Sequence, residues 1–303
     1  MIADRILDGF GKFITTANFE DTLGAEVDAR MERALAPFGE MIAELEKRSG
    51  YVDLENAEIV TLIADQRWEK PVGFNRFHVI CIGAGAGGAT GHFDALWGAH
   101  YGRGGGGGGG CDEKTFTDLE MPDFVDCTIG VGGAGAVNGG NGSRLGASGT
   151  QSAFGDLLVG GGGKGDGTGG SGNSPGGSGG GPGRAGSPGT QGNVGGSAGG
   201  GGGGQNAFSN KASNKAGEGG RSGTLPGGPA GAWVTSNSSA ARPAPGRDAG
   251  EGQFYGGSGG GGGGGRGPGG HGGMPGGGGG AGGIDGTGGK GADGCIHIIC
   301  FYE

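Results

Sequence analysis

The chain has 303 residues, 92 of them glycine, and a formal net charge of −9. No apolar run approaches the ~18 residues of a membrane span, and Asp4 and Arg5 interrupt what would be the apolar part of a signal peptide. The balance is acidic and only Arg103 and Arg266 border long glycine runs, whereas glycine-rich RNA-binding proteins interleave glycine with many arginines, so nucleic acid is not an expected partner.

Six glycines fall in residues 1–82 and the other 86 in the remaining 221 positions, so the chain has two compositional halves. Five cysteines (Cys81, Cys111, Cys127, Cys295, Cys300) form no CxxC pair, and four sit in strand-like runs, where a free thiol behaves as a small buried hydrophobe. A reducing cytoplasm during assembly and no metal site or cofactor are the expectations.

In chain order, residues 1–10 place Ile2, Ile6, Leu7 and Phe10 on one helical face, in a helix too short to stand alone. Residues 19–48 carry Phe19, Leu23, Val27, Met31, Leu35, Phe38, Ile42 and Leu45, the later ones at a four-three spacing that reads as a short heptad seam, interrupted at Pro37. This predicts a helical docking or oligomerisation segment over residues 1–50, with Ile6, Leu7, Phe10, Met31, Leu35, Phe38, Ile42 and Leu45 as its contact residues.

Residues 59–63, rich in β-branched side chains, predict a strand. Trp68-Glu69-Lys70-Pro71-Val72-Gly73 reads as turn chemistry, because Pro71 fixes φ and Gly73 tolerates a left-handed backbone. Further strands are predicted over 76–82, 114–120 and 124–131, a hairpin about Gly155-Asp156 within 152–159, and a last strand over 295–302. That last strand has few apolar neighbours in sequence, so it must pair with strands that precede residue 160. The glycine tract is then an excursion anchored at both ends. The chain divides accordingly into residues 1–50, a β domain of 51–159 plus 291–303, and a glycine-rich part of 160–290.

Gly83-x-Gly85-x-x-Gly88 directly after the apolar run 77–82 matches a dinucleotide-binding fingerprint. The seven glycines at 104–110 that soon follow cannot hold the helix this motif requires, since each interior glycine costs about 1 kcal/mol relative to alanine. The alternative is packing of glycine segments side by side in a polyproline-II-like conformation, with N–H and C=O groups bonded between neighbours. The runs at 104–110, 160–163, 199–204, 259–265 and 276–280 supply such segments. Glycine also recurs every third residue from Gly177 to Gly195, but only Pro182 and Pro188 lie in that register, too few for collagen. Between runs lie segments with larger side chains, 92–103, 205–215 and 221–255, whose aromatics Trp97, Tyr101, Phe208, Trp233, Phe254 and Tyr255 amid Asn, Ser and Gly resemble the composition of binding loops.

The residues also resemble a known family, the glycine-rich domain proteins of tailed-phage tails. The resemblance rests on the Trp68-to-Gly73 turn, the strand 77–82 running into Gly83, Gly85 and Gly88, Val131-Gly132-Gly133-Ala134-Gly135, Ser152-Ala153-Phe154-Gly155, and Asp293-Gly294 before the last strand. It covers residues from about 58 to 303. It implies a small antiparallel β-sandwich carrying a polyglycine-II-like bundle, which, with the N-terminal helical docking segment read from residues 1–50, outside the resemblance, makes a mainly β protein. It further implies a tail fibre or tail tip adhesin of the virion, assembled in the host cytoplasm, with other tail proteins of hub or fibre and a host cell-surface receptor, glycan or outer-membrane protein, as partners. A homo-oligomer, a trimer by preference, is the expected state. The histidines His78, His92, His100, His271 and His297 are scattered, and no nucleophile and base stand together in sequence, so an enzyme is not expected. The alternatives are a purely structural fibre or hub component, a nucleotide-binding enzyme and a glycine-rich RNA-binding protein.

Overall fold

A computed structural model describes residues 57–94, 99–101, 104–137, 145–166, 171, 218–220, 222, 226–229, 254, 256–263, 267–284 and 286–302, all within the unit Asp53–Glu303. The docking segment, with Ile6, Leu7, Phe10, Met31, Leu35, Phe38, Ile42 and Leu45, lies outside the described residues, as do Trp97, Phe208, Trp233 and Tyr255. The described part is mainly β, with its two four-stranded sheets antiparallel, and contains no helix.

The first sheet is built on the two most apolar strands of the chain. β3 (Arg76–Ile82) and β11 (Cys295–Phe301) are buried on both faces, as their near-continuous apolar sequence dictates, and β11 lies between β3 and β1 (Ala57–Leu62). The last strand therefore does close on strands that precede residue 160. β6 (Cys111–Thr117) completes the sheet, pairing Ile82 with Cys111 at one end and Arg76 with Thr117 at the other. The strand expected at 114–120 is displaced toward its N-terminus because Glu120 turns back. Its carboxylate accepts from the Thr117 N–H at 2.9 Å and the Thr117 hydroxyl at 3.0 Å, and the Met121 N–H donates to the Thr117 carbonyl.

The second sheet has the order β2 (Gln66–Glu69), β7 (Phe124–Thr128), β8 (Ser152–Phe154), β9 (Leu158–Gly160). Trp68, expected in a turn, belongs to a strand, because its indole enters the core edge-on to Phe77 at 5.9 Å and against Phe154 at 5.6 Å. The turn itself follows at Pro71 to Gly73, where Gly73 has a φ of 96°. The β8–β9 hairpin forms as expected, with Gly155 at a φ of 53°. β7 stops at Thr128, short of the expected Val131, because the Ile129 N–H leaves the ladder for the Asp65 carboxylate at 2.7 Å. One apolar cluster joins the two sheets: Phe77, Val79, Phe116, Ile296 and Ile298 from the first meet Trp68, Val125, Phe154 and Leu158 from the second.

Beyond Ile82, where a loop over 92–103 is expected, β4 (Thr90–Asp94) and β5 (Ala99–Tyr101) pair antiparallel, with β10 (Gly282–Ile284) parallel to β4.

Candidate functional site

Residues 83–89 continue β3 into the glycine-rich part and organise it. Their N–H groups run to three different neighbours in rotation. Gly83, Ala86 and Ala89 donate to Gly110, Gly107 and Gly104; Ala84 and Gly87 donate to Thr150 and Ala147; Gly85 and Gly88 donate to Ala292 and Gly289, all at 2.9–3.2 Å. Each acceptor series descends by three, so these neighbours run antiparallel. The carbonyls receive from three more segments: Ala84 from Gly163, Gly85 and Gly88 from Gly133 and Ala136, and Ala86 and Ala89 from Gly279 and Gly282. In the last two series the donors ascend by three, so these neighbours run parallel. A backbone that repeats every three residues sends every third peptide group in the same direction, which is how one segment serves six neighbours.

Such close approach requires glycine at particular places. A Cβ at Gly85 would meet the Gly277 carbonyl, and one at Gly88 the Gly280 carbonyl. Ala84, Ala86 and Ala89 are fully buried at the positions where the neighbouring chains leave room for a methyl group. The fingerprint glycines thus have their amides bonded to Gly110, Ala292 and Gly289, and the strand β4 follows them. A phosphate cradle needs those same N–H groups free at a helix N-terminus.

The network is tied to the sheets by side chains that stand in for peptide groups. The fully buried Ser152 hydroxyl donates to the Ile82 carbonyl at 2.7 Å and accepts from the Gly130 N–H at 2.9 Å. Asp293 accepts from the Gly132 N–H at 2.6 Å. Neither role is legible in the residue type, since Ser and Asp beside glycine read equally well as solvated loop.

Of the aromatic residues singled out from sequence, Tyr101 and Phe254 lie among the described residues, and they belong to different parts of the fold. Tyr101 pairs opposite His92 on the hairpin that follows residues 83–89, a segment about 20 Å long at ~3.1 Å per residue. Phe254 lies at the other end, 8% exposed, with its ring edge-on to His297 of β11 at 5.4 Å. Segments 218–220 and 226–229 flank the run 256–263, with Gly219 donating to Gly228 and Gly228 to Gly259.

Burial favours the neutral form of the histidines and cysteines of the first sheet. His297 contacts Thr61 Oγ1 at 3.0 Å and Cys295 Sγ at 3.2 Å, and burial pushes its pKa down to about 4. His78 contacts Thr115 Oγ1 at 2.9 Å, with Nε2 4.0 Å from Glu113, and burial likewise lowers it. All five cysteines are free and buried; burial raises Cys81 and Cys300 to about 12 and Cys127 to about 11. Among the described residues no group of three or more His, Cys, Asp or Glu is placed to hold a metal ion.

In comparisons with known proteins, a family model for a glycine-rich domain matches residues 61–300. No curated protein matches the chain.

Proposed function

Because the chain belongs to the glycine-rich domain family, whose defining part here is a hydrogen-bonded lattice, we propose that it is a phage tail fibre or tail tip protein. In this reading the two sheets are a small β-sandwich and the lattice a polyglycine-II-like bundle that holds loops away from it for contact with a host-surface receptor. The observation that carries the reading is the segment 83–89, bonded to six neighbours between the end of β3 and the β4–β5 hairpin. A rod stiffened by peptide groups spaces a loop from its anchor without spending side chains on a core. The segment 1–50 docks the chain to the tail hub or fibre and trimerises it through Ile6, Leu7, Phe10, Met31, Leu35, Phe38, Ile42 and Leu45. Contact falls to Trp97, Tyr101, Phe208, Trp233 and Tyr255, while the buried Phe254 anchors its segment. An outer-membrane protein or an anionic glycan suits the mild basic excess of residues 160–290. The chemistry is binding rather than catalysis.

The test has two steps. Purified virions are searched for the chain by mass spectrometry and antibody labelling, with tail labelling expected; a soluble monomer absent from particles would sink the proposal. Trp97→Ala and an exchange of residues 205–255 for a relative's are then scored by adsorption. A drop of tenfold or more in adsorption, or a changed host range, is expected. Unchanged adsorption and host range in both would favour the purely structural fibre component.

A further inference from the structure

The outer face of the second sheet carries a groove that the lattice does not use. β7 alternates, burying Val125 and Cys127 in the core and turning Phe124, Asp126 and Thr128 outward. Between Pro122 and Phe124 on one side and Gly155, Asp156 and Leu157 of the β8–β9 turn on the other lies a space of about 510 Å³, lined also by Ala153. Phe124 is 54% exposed and Leu157 37%. The Arg67 guanidinium sits 4.4 Å from the centre of the Phe124 ring and forks onto Asp126 at 2.8 and 3.2 Å, which fixes both side chains. The groove therefore has an ordered apolar platform in place before any partner arrives.

Its surroundings are acidic. Glu69, Asp118, Glu120, Asp123, Asp126 and Asp156 lie on this sheet and its adjoining turns, against Arg67 and Lys70. Both cations are engaged. Arg67 is held by Asp126, and Lys70 lies between Asp118 at 3.1 Å and Asp123 at 3.6 Å. The carboxylates of Asp123 and Asp126 remain 94% and 70% exposed. Leu119, on the same turn as Asp118, is almost fully exposed, extending the apolar surface beyond the groove. The turns are rigid, because the Lys70 N–H donates to the Asp123 carbonyl and the Asp118 N–H to the Asn75 carbonyl, both at 2.8 Å.

A partly apolar cleft whose surrounding carboxylates outnumber the cations paired with them repels nucleic acid and other polyanions and attracts cations. A cation alone would leave Phe124 and Leu157 in water. We propose that this groove docks a segment of another polypeptide in which Lys or Arg alternates with Val, Leu or aromatic residues. The apolar residues cover Phe124 and Leu157 while the cations meet Asp123, Asp126 and Asp156. Charge steers the encounter and apolar burial holds the complex. The inference does not depend on receptor contact by the glycine-held loops.

The test uses the full chain and three synthetic peptides: alternating lysine and valine, lysine with glycine, and alternating glutamate and valine. Fluorescence anisotropy should show the lysine–valine peptide binding at least tenfold more tightly than either of the others and weakening as salt rises. Phe124→Ala, and separately the pair Asp123→Asn with Asp156→Asn, should each reduce that binding at least fivefold. These side chains are solvent-facing, and circular dichroism checks that the variants keep the fold. Val131→Ala, on an exposed residue outside the groove, should leave binding unchanged. Absence of binding, equal binding of the lysine–glycine peptide, or indifference to Phe124→Ala would each overturn the proposal. Self-association in sedimentation that disappears in Phe124→Ala would also overturn it, because the occupant would then be a second copy.

Discussion

His297 shows how much a single side chain here depends on what is folded around it. In sequence it is a histidine within an apolar strand; in the fold it is 9% exposed, enclosed by Thr61, Cys295 and the Phe254 ring. Its pKa falls from the ordinary 6.5 to about 4 by burial. A base with a depressed folded pKa takes up its proton in the unfolded state first, so stability is fully present above about pH 6.5 and is lost as pH falls toward 4. The loss amounts to roughly 3 kcal/mol at 1.36 kcal/mol per pKa unit, and His78, shifted in the same direction, adds to it. Urea midpoints measured from pH 7.5 to 4.5 should fall steeply in the native chain and less so in His297→Gln. A parallel pH profile in the two proteins would show that His297 is not the group responsible.

At the scale of the element, glycines of identical appearance in sequence have opposite tolerances. Gly88 lies in the segment with six neighbours, where a methyl group would meet the backbone of Gly280 and Ala281. Backbone cannot rotate away as a side chain can, so Gly88→Ala should destabilise by about 3 kcal/mol, the upper end of the usual cost of overpacking. A Cβ at Gly73 would meet only the Tyr302 ring, at an ordinary contact distance of 4.0 Å, so the substitution pays for the left-handed φ of 96° alone and Gly73→Ala should cost about 1–2 kcal/mol. Thermal unfolding of the two variants measures the difference; equal shifts in midpoint would contradict the lattice geometry. The strands were legible as elements, because β1, β3, β7, the β8–β9 hairpin and β11 have apolar or alternating sequences bounded by turn residues. Their ends were less so. β6 slid by three residues because Glu120 bonds back to Thr117, and Trp68 moved from turn to strand because an indole gains more from the core than a turn gains from its neighbours.

At the scale of the molecule, sheet and lattice are one hydrogen-bonded body. β3 runs into 83–89, 104–110 runs into β6, and 286–292 returns to β11, so neither part has a free end at their junction. Ser152 closes the seam between them. Amides of 83–89 and of β3 and β11 should therefore exchange with deuterium at the same, slowest rates, through a shared opening. Lattice amides exchanging at much lower protection than the strands would show two separately opening units. The composition alone determined that ordinary strands flank a glycine-rich excursion and that its closing strand returns to the sheet, since apolar periodicity and the scarcity of apolar partners are local properties of the chain. The same was true of the choice of backbone packing over a phosphate-binding helix, because long glycine runs cannot hold a helix. Only the tertiary structure decided which runs become neighbours and in which direction, and that the acidic sheet face opens as a groove. A glycine carries no side chain to specify its partner, so the pairing is set by where the strands deliver each run.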